Sequence, residues 1–232
     1  MSSSSDRALF QNGILRQLST SERDTLLADA EPVRFPTGSI VARSGDPISS
    51  AYFPESGVIC PMNEMATGHQ LAMVAIGCDG VIGLGPLFSV PRYPHRLVSV
   101  VESTGHRVQV GRLVEMFQRS ERLRRVTLAH VGRLICDLSM SGACHRLHSH
   151  RQRLARWLLI MTDKAGQRSL HVTHEAMAQM VGGPRHAVTV ALSELRAKGA
   201  IAHVRGRVGI LKRSVLVAQS CECYRPRETS SP

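Results

Sequence analysis

The sequence predicts an α+β protein: an N-terminal antiparallel β-roll of the jelly-roll (double-stranded β-helix) type, a long dimerisation helix and a C-terminal winged helix-turn-helix. Three observations support this fold class. Short apolar runs separated by Gly, Pro, Asp and Asn fill residues 33–110. Apolar residues at helical spacing then continue from 121 to 144. Two short helical patterns joined by a glycine turn lie within residues 173–198.

The β-roll is predicted to occupy residues 1–118. Leucines at helical spacing between residues 12 and 30, with Ser19 or Ser21 as a cap, predict one or two short helices before the strands. The apolar runs that follow recur at intervals of roughly 8 to 12 residues, as in antiparallel sandwiches and barrels. We therefore expect the first half of the chain to be one β domain with a helical lead-in.

Residues 119–148 are predicted to form the long helix and a hinge. The apolar spacing fits a helix of about 25 residues, near 37 Å in length. That length exceeds what a small β-roll covers, so the remaining apolar face is predicted to pack against a second copy of the chain, as in a two-stranded coiled coil. The residues predicted to form this dimer interface are Leu123, Val126, Val131, Leu134 and Leu138.

Residues 149–220 are predicted to form the winged helix-turn-helix, and residues 221–232 a flexible tail. Thr173 suits the N-cap of a first short helix, and Pro184 suits the first turn of a second helix. An αα-hairpin in an ordinary core is the alternative interpretation of this pattern on its own. The hairpin predicted after Gly199, with Arg205-Gly206-Arg207 at its tip, favours a winged helix.

The distribution of charge favours a polyanionic partner. The formal net charge is +11, and residues 146–232 carry 15 Lys and Arg against 5 Asp and Glu, whereas residues 1–145 carry 14 against 13. A basic domain beside a nearly neutral one is typical of binding to double-stranded DNA, because neutralised phosphates release counterions. The residues predicted to bind DNA are Thr173, Pro184, Arg185, His186, Thr189, Arg205, Arg207, Lys212 and Arg213.

Other classes of protein find little support in the sequence. The absence of an 18-residue apolar run and of a signal-peptide pattern predicts a cytoplasmic protein without a membrane partner. The six cysteines are then expected to be reduced thiols. We find no P-loop, G-x-S-x-G or H-E-x-x-H motif, and therefore predict neither an enzyme nor a bound cofactor.

The order of these elements resembles the Crp/Fnr family of bacterial transcription regulators over roughly residues 12–218. The similarity is strongest at VTHEAMAQMVGGPRHAVTVALSELRAKGAI, which begins at Val172. The resemblance implies a cyclic-nucleotide-binding-like β-roll and a homodimeric, sequence-specific transcription regulator. Such a regulator would bind a pseudo-palindromic site and have RNA polymerase as a partner. It also implies that Arg185 reads a base, while Val190 stands where many members carry a second polar reader.

The family's cyclic-nucleotide cassette is incomplete in this chain. Where members carry Gly-Glu-Leu, residues 83–88 read GLGPLF without a carboxylate, and Arg96 is displaced by about two positions from the expected phosphate-binding arginine. We therefore expect cyclic AMP not to be a tight ligand. Gly83, Gly85, His95 and Arg96 remain a candidate pocket for another anion. No cysteine precedes Cys60, so the N-terminal iron–sulfur cluster of the oxygen-sensing branch cannot form in that way.

The alternative function is a redox, metal or small-molecule sensor whose winged helix mainly binds a protein partner. Cys144, His145 and His148 are candidate metal ligands at the hinge, because Cys and His at this spacing suit zinc or haem. Solvated hinge histidines, or histidines that contact the DNA backbone, are the other interpretation, and we predict no metal. The Cys221-Glu222-Cys223 run is interpreted as incidental thiols on the flexible tail, and a redox-active pair or a metal half-site is the alternative.

Overall fold

The computed structural model describes residues 10–225 and has the predicted α+β architecture. Short 3-10 helices cover Leu15–Gln17 and Gly85–Phe88. The strands are β1 Glu31–Phe35, β2 Ile40–Ala42, β3 Ser50–Glu64, β4 Gln70–Ala72, β5 Arg96–Gln109, β6 Ser169–His171, β7 Ile201–Val204 and β8 Arg207–Ile210. The α-helices are α1 Thr20–Leu27, α2 Val110–Arg119, α3 Glu121–Leu147, α4 His150–Ala165, α5 His174–Val181, α6 Arg185–Ala197 and α7 Arg213–Gln219.

Two long antiparallel strands, β3 and β5, form the centre of the β-roll. The sheet has the order β1-β5-β3-β4, and β2 also pairs with β5. The β3–β5 ladder runs from Ser50 opposite Gln109 to Met62 opposite Arg96, with register shifts near its middle that bend both strands. Gly57 lies at this bend with φ +78°, and a Cβ there would stand 2.0 Å from the carbonyl oxygen of Glu102. Only glycine fits that position.

The interior of the roll is filled by its own side chains. Phe53 and Val108 from the sheet are buried in one cluster with Ile14 and Leu15 of the lead-in. Among the described residues, a small cavity lined by Phe35, Tyr52, Phe53 and their neighbours has a volume of about 10 Å³. A space of that size holds about one water molecule.

The predicted long helix is confirmed. Helix α3 has 27 residues, about 40 Å at the standard rise, and the side chain of Ser120 caps it by accepting a hydrogen bond from the Leu123 amide at 2.9 Å. One face of the helix packs against its own chain at alternating spacings of four and three residues. This face consists of Leu123, Thr127, His130, Leu134, Asp137, Ser141 and Cys144.

The predicted dimer interface needs correction. Leu123 and Val126 are buried in the core of the roll within one subunit, and Leu134 packs partly against the same domain. Of the predicted residues, Val131 is half-buried against the core of the roll, and Leu138 remains exposed. The residues that remain exposed lie on a different face, which we call the exposed stripe: Leu128, Ile135, Leu138 and Gly142. The sequence pattern contains both faces because a helix between two surfaces is apolar on each of them.

The C-terminal half has the predicted helix-turn-helix and wing. The Thr173 hydroxyl accepts the Ala176 amide at 3.0 Å and so starts α5, and Gly182 ends α5 in the left-handed conformation, φ +62°. Pro184 is the N-cap of α6 rather than its first residue. Strands β6, β8 and β7 form a three-stranded sheet whose β7–β8 turn, Arg205-Gly206, has positive φ at both residues.

The β-roll and the helix-turn-helix share one hydrophobic core. Val58, Cys60 and Met62 of β3 lie in the same cluster as Trp157 and Leu158 of α4, all at most 1% exposed. Polar contacts reinforce this packing, since the Cys78 amide donates to the carbonyl of Lys164 at 3.2 Å and the Lys164 ammonium pairs with Asp79 at 2.7 Å. The two halves are therefore docked against each other rather than joined only by the hinge.

The prediction of a flexible tail is wrong for its first residues. Cys221, Cys223 and Tyr224 are 4 to 8% exposed and pack on α3 and α4. The Tyr224 hydroxyl donates to the Asp163 carboxylate at 2.7 Å. Residues 226–232 of the predicted tail lie outside the described residues. Within residues 10–225, none of the helices combines the length and the apolar character that crossing a membrane requires.

Candidate nucleic-acid interface

The outer face of α6 presents polar side chains to solvent. Val188, Leu192 and Leu195 hold the inner face in the core, because they recur at spacings of four and three residues. This packing leaves Arg185, His186 and Thr189 exposed on the first two turns of the helix. All three predicted readers thus share one accessible surface. Val190 beside them is 55% exposed, which gives the surface an apolar position.

Arg185 is not free in this structure. Its guanidinium forms an ion pair with Glu175 of α5 at 2.5 Å, and both side chains are largely exposed. The pair links the two helices of the helix-turn-helix across the turn. It also holds the predicted base-reading group beside a carboxylate, which a DNA phosphate or base acceptor would have to replace.

The wing places two further cations near the sheet edge. Arg205 and Arg207 are exposed and border a shallow groove of about 510 Å³ on the β6-β8-β7 sheet. The Arg205 backbone has φ +47°, which is uncommon for a residue with a Cβ and belongs to the tight turn. Two guanidinium groups at a hairpin tip are suited to phosphate oxygens.

The two cations after the wing differ in their surroundings. Lys212 is exposed, at the N-cap of α7. Arg213 donates to the Asp163 carboxylate at 2.6 Å and stacks over the Tyr224 ring. Arg213 therefore joins α7 to α4 within the fold, and we leave it out of the phosphate-binding set.

The candidate anion pocket is not assembled. Gly83 lies against the backbone of Ser50, where a Cβ would stand 2.4 Å from the Ser50 carbonyl oxygen. Arg96 pairs with Met62 at the other end of the same β3–β5 ladder. Gly85 packs against the backbone of Val90, and His95 is exposed. The four predicted residues thus do not line one cavity, because the glycines serve close backbone packing instead.

Arg96 instead belongs to a series of polar contacts that ends at α6. Its guanidinium donates to the side-chain oxygen of Gln70, which also accepts the Gln179 amide at 2.9 Å. Gln179 in turn donates to Glu175 at 3.4 Å, and Glu175 holds Arg185. A continuous set of contacts therefore runs from the β-roll through α5 to α6. Sequence spacing gave no signal of it, since Gln70 and Gln179 are 109 positions apart.

Only two of the three candidate metal ligands at the hinge, Cys144 and His148, lie in one cluster. Cys144 and His148 lie together, whereas His145 turns toward Arg153, whose guanidinium approaches the His145 ring nitrogen at 3.2 Å. Cys221 and Cys223 complete a group of four whose ligand atoms all lie within 4.8 Å of one another. None of the described cysteines forms a disulfide.

Comparisons with known proteins agree with this architecture. Residues 152–218 match the family model of the Crp-like helix-turn-helix domain. No curated protein matches the sequence. The matched segment runs from α4 through α7, so the winged helix-turn-helix predicted from the sequence is confirmed.

Solved structures share the fold over more than four-fifths of this chain. CLP, a c-di-GMP responsive global regulator from Xanthomonas campestris, is 20% identical, with a TM-score of 0.68 over 84% of this chain and 100% of its own. FixK2 from Bradyrhizobium japonicum is 15% identical, with a TM-score of 0.71 over 83% and 98% of the two chains. A CRP family transcriptional regulator from Thermus thermophilus, TTHB099, is 18% identical, with a TM-score of 0.68 over 81% and 96%. The resemblance to the Crp/Fnr regulators is thus confirmed at the level of the fold.

Proposed function

We propose that this protein is a sequence-specific DNA-binding transcription regulator that acts as a homodimer. The observation that carries the proposal is the exposed polar face of α6 beside a wing tipped by two arginines, in a segment that matches the Crp-like helix-turn-helix domain. The excess of Lys and Arg in residues 146–232 supports a nucleic-acid partner.

In the proposed complex, α6 enters the major groove. Arg185 and His186 lie at the N-terminal end of the helix, where a recognition helix contacts base edges, and Thr189 lies one turn further on. Arg205, Arg207 and Lys212 bind phosphates and so position the protein without reading sequence. Thr173 and Pro184 begin α5 and α6, whose N-terminal amides suit phosphate oxygens.

The exposed stripe supports the proposed dimer. Leu128, Ile135 and Leu138 are 43 to 61% exposed, although their positions at spacings of seven and three residues match the seam of a coiled coil. Gly142 continues the seam with a residue that permits close approach of a second helix. A two-fold dimer through α3 would place two copies of α6 on half-sites about one helical turn apart, which requires a pseudo-palindromic operator. RNA polymerase is the partner that we propose for the assembled regulator.

The proposal excludes cyclic AMP as the effector. Arg96, the guanidinium nearest in sequence to the expected phosphate-binding arginine, is bound to the side-chain oxygen of Gln70. Residues 83–88 also lack the carboxylate that the family uses for the ribose.

The test is fluorescence-anisotropy binding of the purified protein to its own promoter fragment and to scrambled DNA, at two salt concentrations, with and without cyclic AMP. We expect tighter binding to the promoter that cyclic AMP does not change. Arg185→Ala should cost about 1–3 kcal/mol on the promoter alone, whereas Arg207→Ala should weaken binding to both DNAs and lower the salt slope by about 1. Equal losses on both DNAs for both variants would refute the assignment of roles. No binding to either DNA would favour the alternative, a sensor that binds a protein.

The dimer is tested separately by light scattering coupled to size-exclusion chromatography. Ile135→Glu puts a charge into the exposed stripe and should yield monomers that keep the wild-type circular dichroism. Arg133→Glu is the matched control, because it changes an exposed residue of the same helix away from the stripe. A dimer that survives Ile135→Glu would contradict the interface.

A further inference from the structure

Four metal-ligating side chains from opposite ends of the C-terminal half meet at the hinge. Cys144 and His148 belong to the end of α3, while Cys221 and Cys223 follow α7 and are separated from them by more than 70 residues of chain. Each residue offers one ligand atom, and the four atoms all lie within 4.8 Å of one another. The three thiols are 1 to 8% exposed.

Two of the separations between these atoms are close to those of a tetrahedral ion. The Sγ atoms of Cys144 and Cys221 are 3.6 Å apart, and the Cys223 Sγ lies 3.6 Å from Nδ1 of His148. With Zn–S near 2.3 Å and Zn–N near 2.0 Å, tetrahedral geometry places two sulfurs about 3.8 Å apart and sulfur and nitrogen about 3.5 Å apart. A disulfide would need its sulfurs at about 2.05 Å, so the cysteines stand at the spacing of ligands rather than of a bridge.

The Glu222 carboxylate contacts the ring nitrogen of His148 that faces away from the thiols. Nδ1 of His148 faces the thiols, while its Nε2 lies 3.1 Å from the carboxylate of Glu222. An Nε2–H that donates to a carboxylate leaves Nδ1 unprotonated and directed at the thiols. This is the arrangement by which proteins orient a histidine ligand on zinc.

A buried cation also lies beside the cysteines. Arg156 is 3% exposed, and its guanidinium donates to the carbonyl of Cys223 at 3.3 Å and to the Ser141 hydroxyl at 3.2 Å. Both acceptors are neutral, and its Nη1 has no hydrogen-bond partner among the described residues. Three thiolates, one neutral histidine and one Zn²⁺ carry a net charge of −1, which would balance this guanidinium.

From these contacts we propose that Cys144, His148, Cys221 and Cys223 bind one structural Zn²⁺ ion. The donor set, three cysteines and one histidine, is one that structural zinc sites use, and all four positions are filled by the protein. The ion would join the segment after α7 to the end of α3. It would therefore fix the helix-turn-helix domain to the dimerisation helix at the point where the chain turns between them.

The experiment begins with metal analysis of the intact, tag-free protein purified under reducing conditions. We expect one zinc ion per protomer by mass spectrometry, and a tetrahedral thiolate absorption band after exchange with Co²⁺. Cys221→Ser and His148→Ala should each lose the metal or bind it far more weakly. Cys136→Ser is the matched control, because Cys136 is an exposed cysteine of the same helix outside the cluster and should keep one zinc per protomer.

A second measurement on the wild-type chain removes any dependence on how the variants fold. Chelation should release zinc and make the three cluster thiols reactive toward a thiol reagent, and added Zn²⁺ should protect those three again. Folded protein that contains no zinc and takes up none would overturn the proposal. So would an iron–sulfur chromophore, a Cys144–Cys221 disulfide in the reduced preparation, or equal metal loss in Cys136→Ser.

Discussion

His130 gives a stability test that follows directly from its surroundings. The side chain is 2% exposed, and its Nε2 lies 3.3 Å from the amide nitrogen of Val81. Burial lowers the pKa of His130 from 6.5 to about 4, because the charged ring would lose its hydration. The folded protein therefore holds His130 neutral, and the unfolded chain binds its proton at higher pH.

The sign and size of the effect follow by linkage. Because the folded pKa lies below the unfolded value, the contribution to stability is complete above about pH 6.5 and declines as the pH falls toward about 4. The pKa difference corresponds to about 3 kcal/mol in full, of which about 2 kcal/mol is lost between about pH 7.5 and about pH 5.

The assay is chemical unfolding of the wild type and of His130→Gln across that pH range. We expect the wild type to lose about 2 kcal/mol more than the variant, since glutamine does not titrate. His95→Gln is the control, because it makes the same substitution at an exposed position. Parallel curves for wild type and His130→Gln would refute the reasoning.

Three further predictions concern the core, a turn and the recognition helix. Leu158→Ala, in the core shared by the two halves, should lower the free energy of unfolding by about 2–5 kcal/mol in a single denaturation transition, and two separate transitions would contradict the shared core. Gly57→Ala should destabilise more than Gly45→Ala in the same assay: both glycines have positive φ, but only at Gly57 would a Cβ meet backbone. Glu175→Gln should free Arg185 and strengthen promoter binding by about 0.2–1 kcal/mol in anisotropy titrations. Glu194→Gln is the control, because it removes a negative charge from α6 itself. An equal gain in promoter affinity for Glu194→Gln would show that the loss of negative charge, and not the release of Arg185, causes the effect.

Local patterns predicted much of the fold. The Thr173 cap, the glycine turn and the spacing of Val188, Leu192 and Leu195 located both helices of the helix-turn-helix, because caps and periodicity act within a few residues. The charge of the C-terminal half likewise depends only on composition. The fold class, the long helix and the exposure of Arg185, His186 and Thr189 could therefore all be predicted from neighbouring residues.

Contacts between distant segments could not be predicted in the same way. Leu123 and Val126 show the same apolar spacing whether they face the roll or a second subunit, so the pattern could not distinguish the two faces of α3. Cys221 and Cys223 follow a polar sequence, and their burial depends on α3 and α4, which lie far away in the chain. Gly83 and Gly85 were assigned to a pocket because glycine suits both ligand approach and tight backbone packing.

The docking of α4 against β3 gives the β-roll a direct influence on where α6 stands. Any rotation of the helix-turn-helix would separate Trp157 and Leu158 from Val58 and Met62 and expose that apolar surface to water. In the proposed regulator, occupancy of the operator and the packing of the roll against the helix-turn-helix would therefore be linked. Suppose that DNA and a second molecule each bind the docked and undocked arrangements with different affinities. Linkage then requires that each changes the affinity of the protein for the other by the same factor.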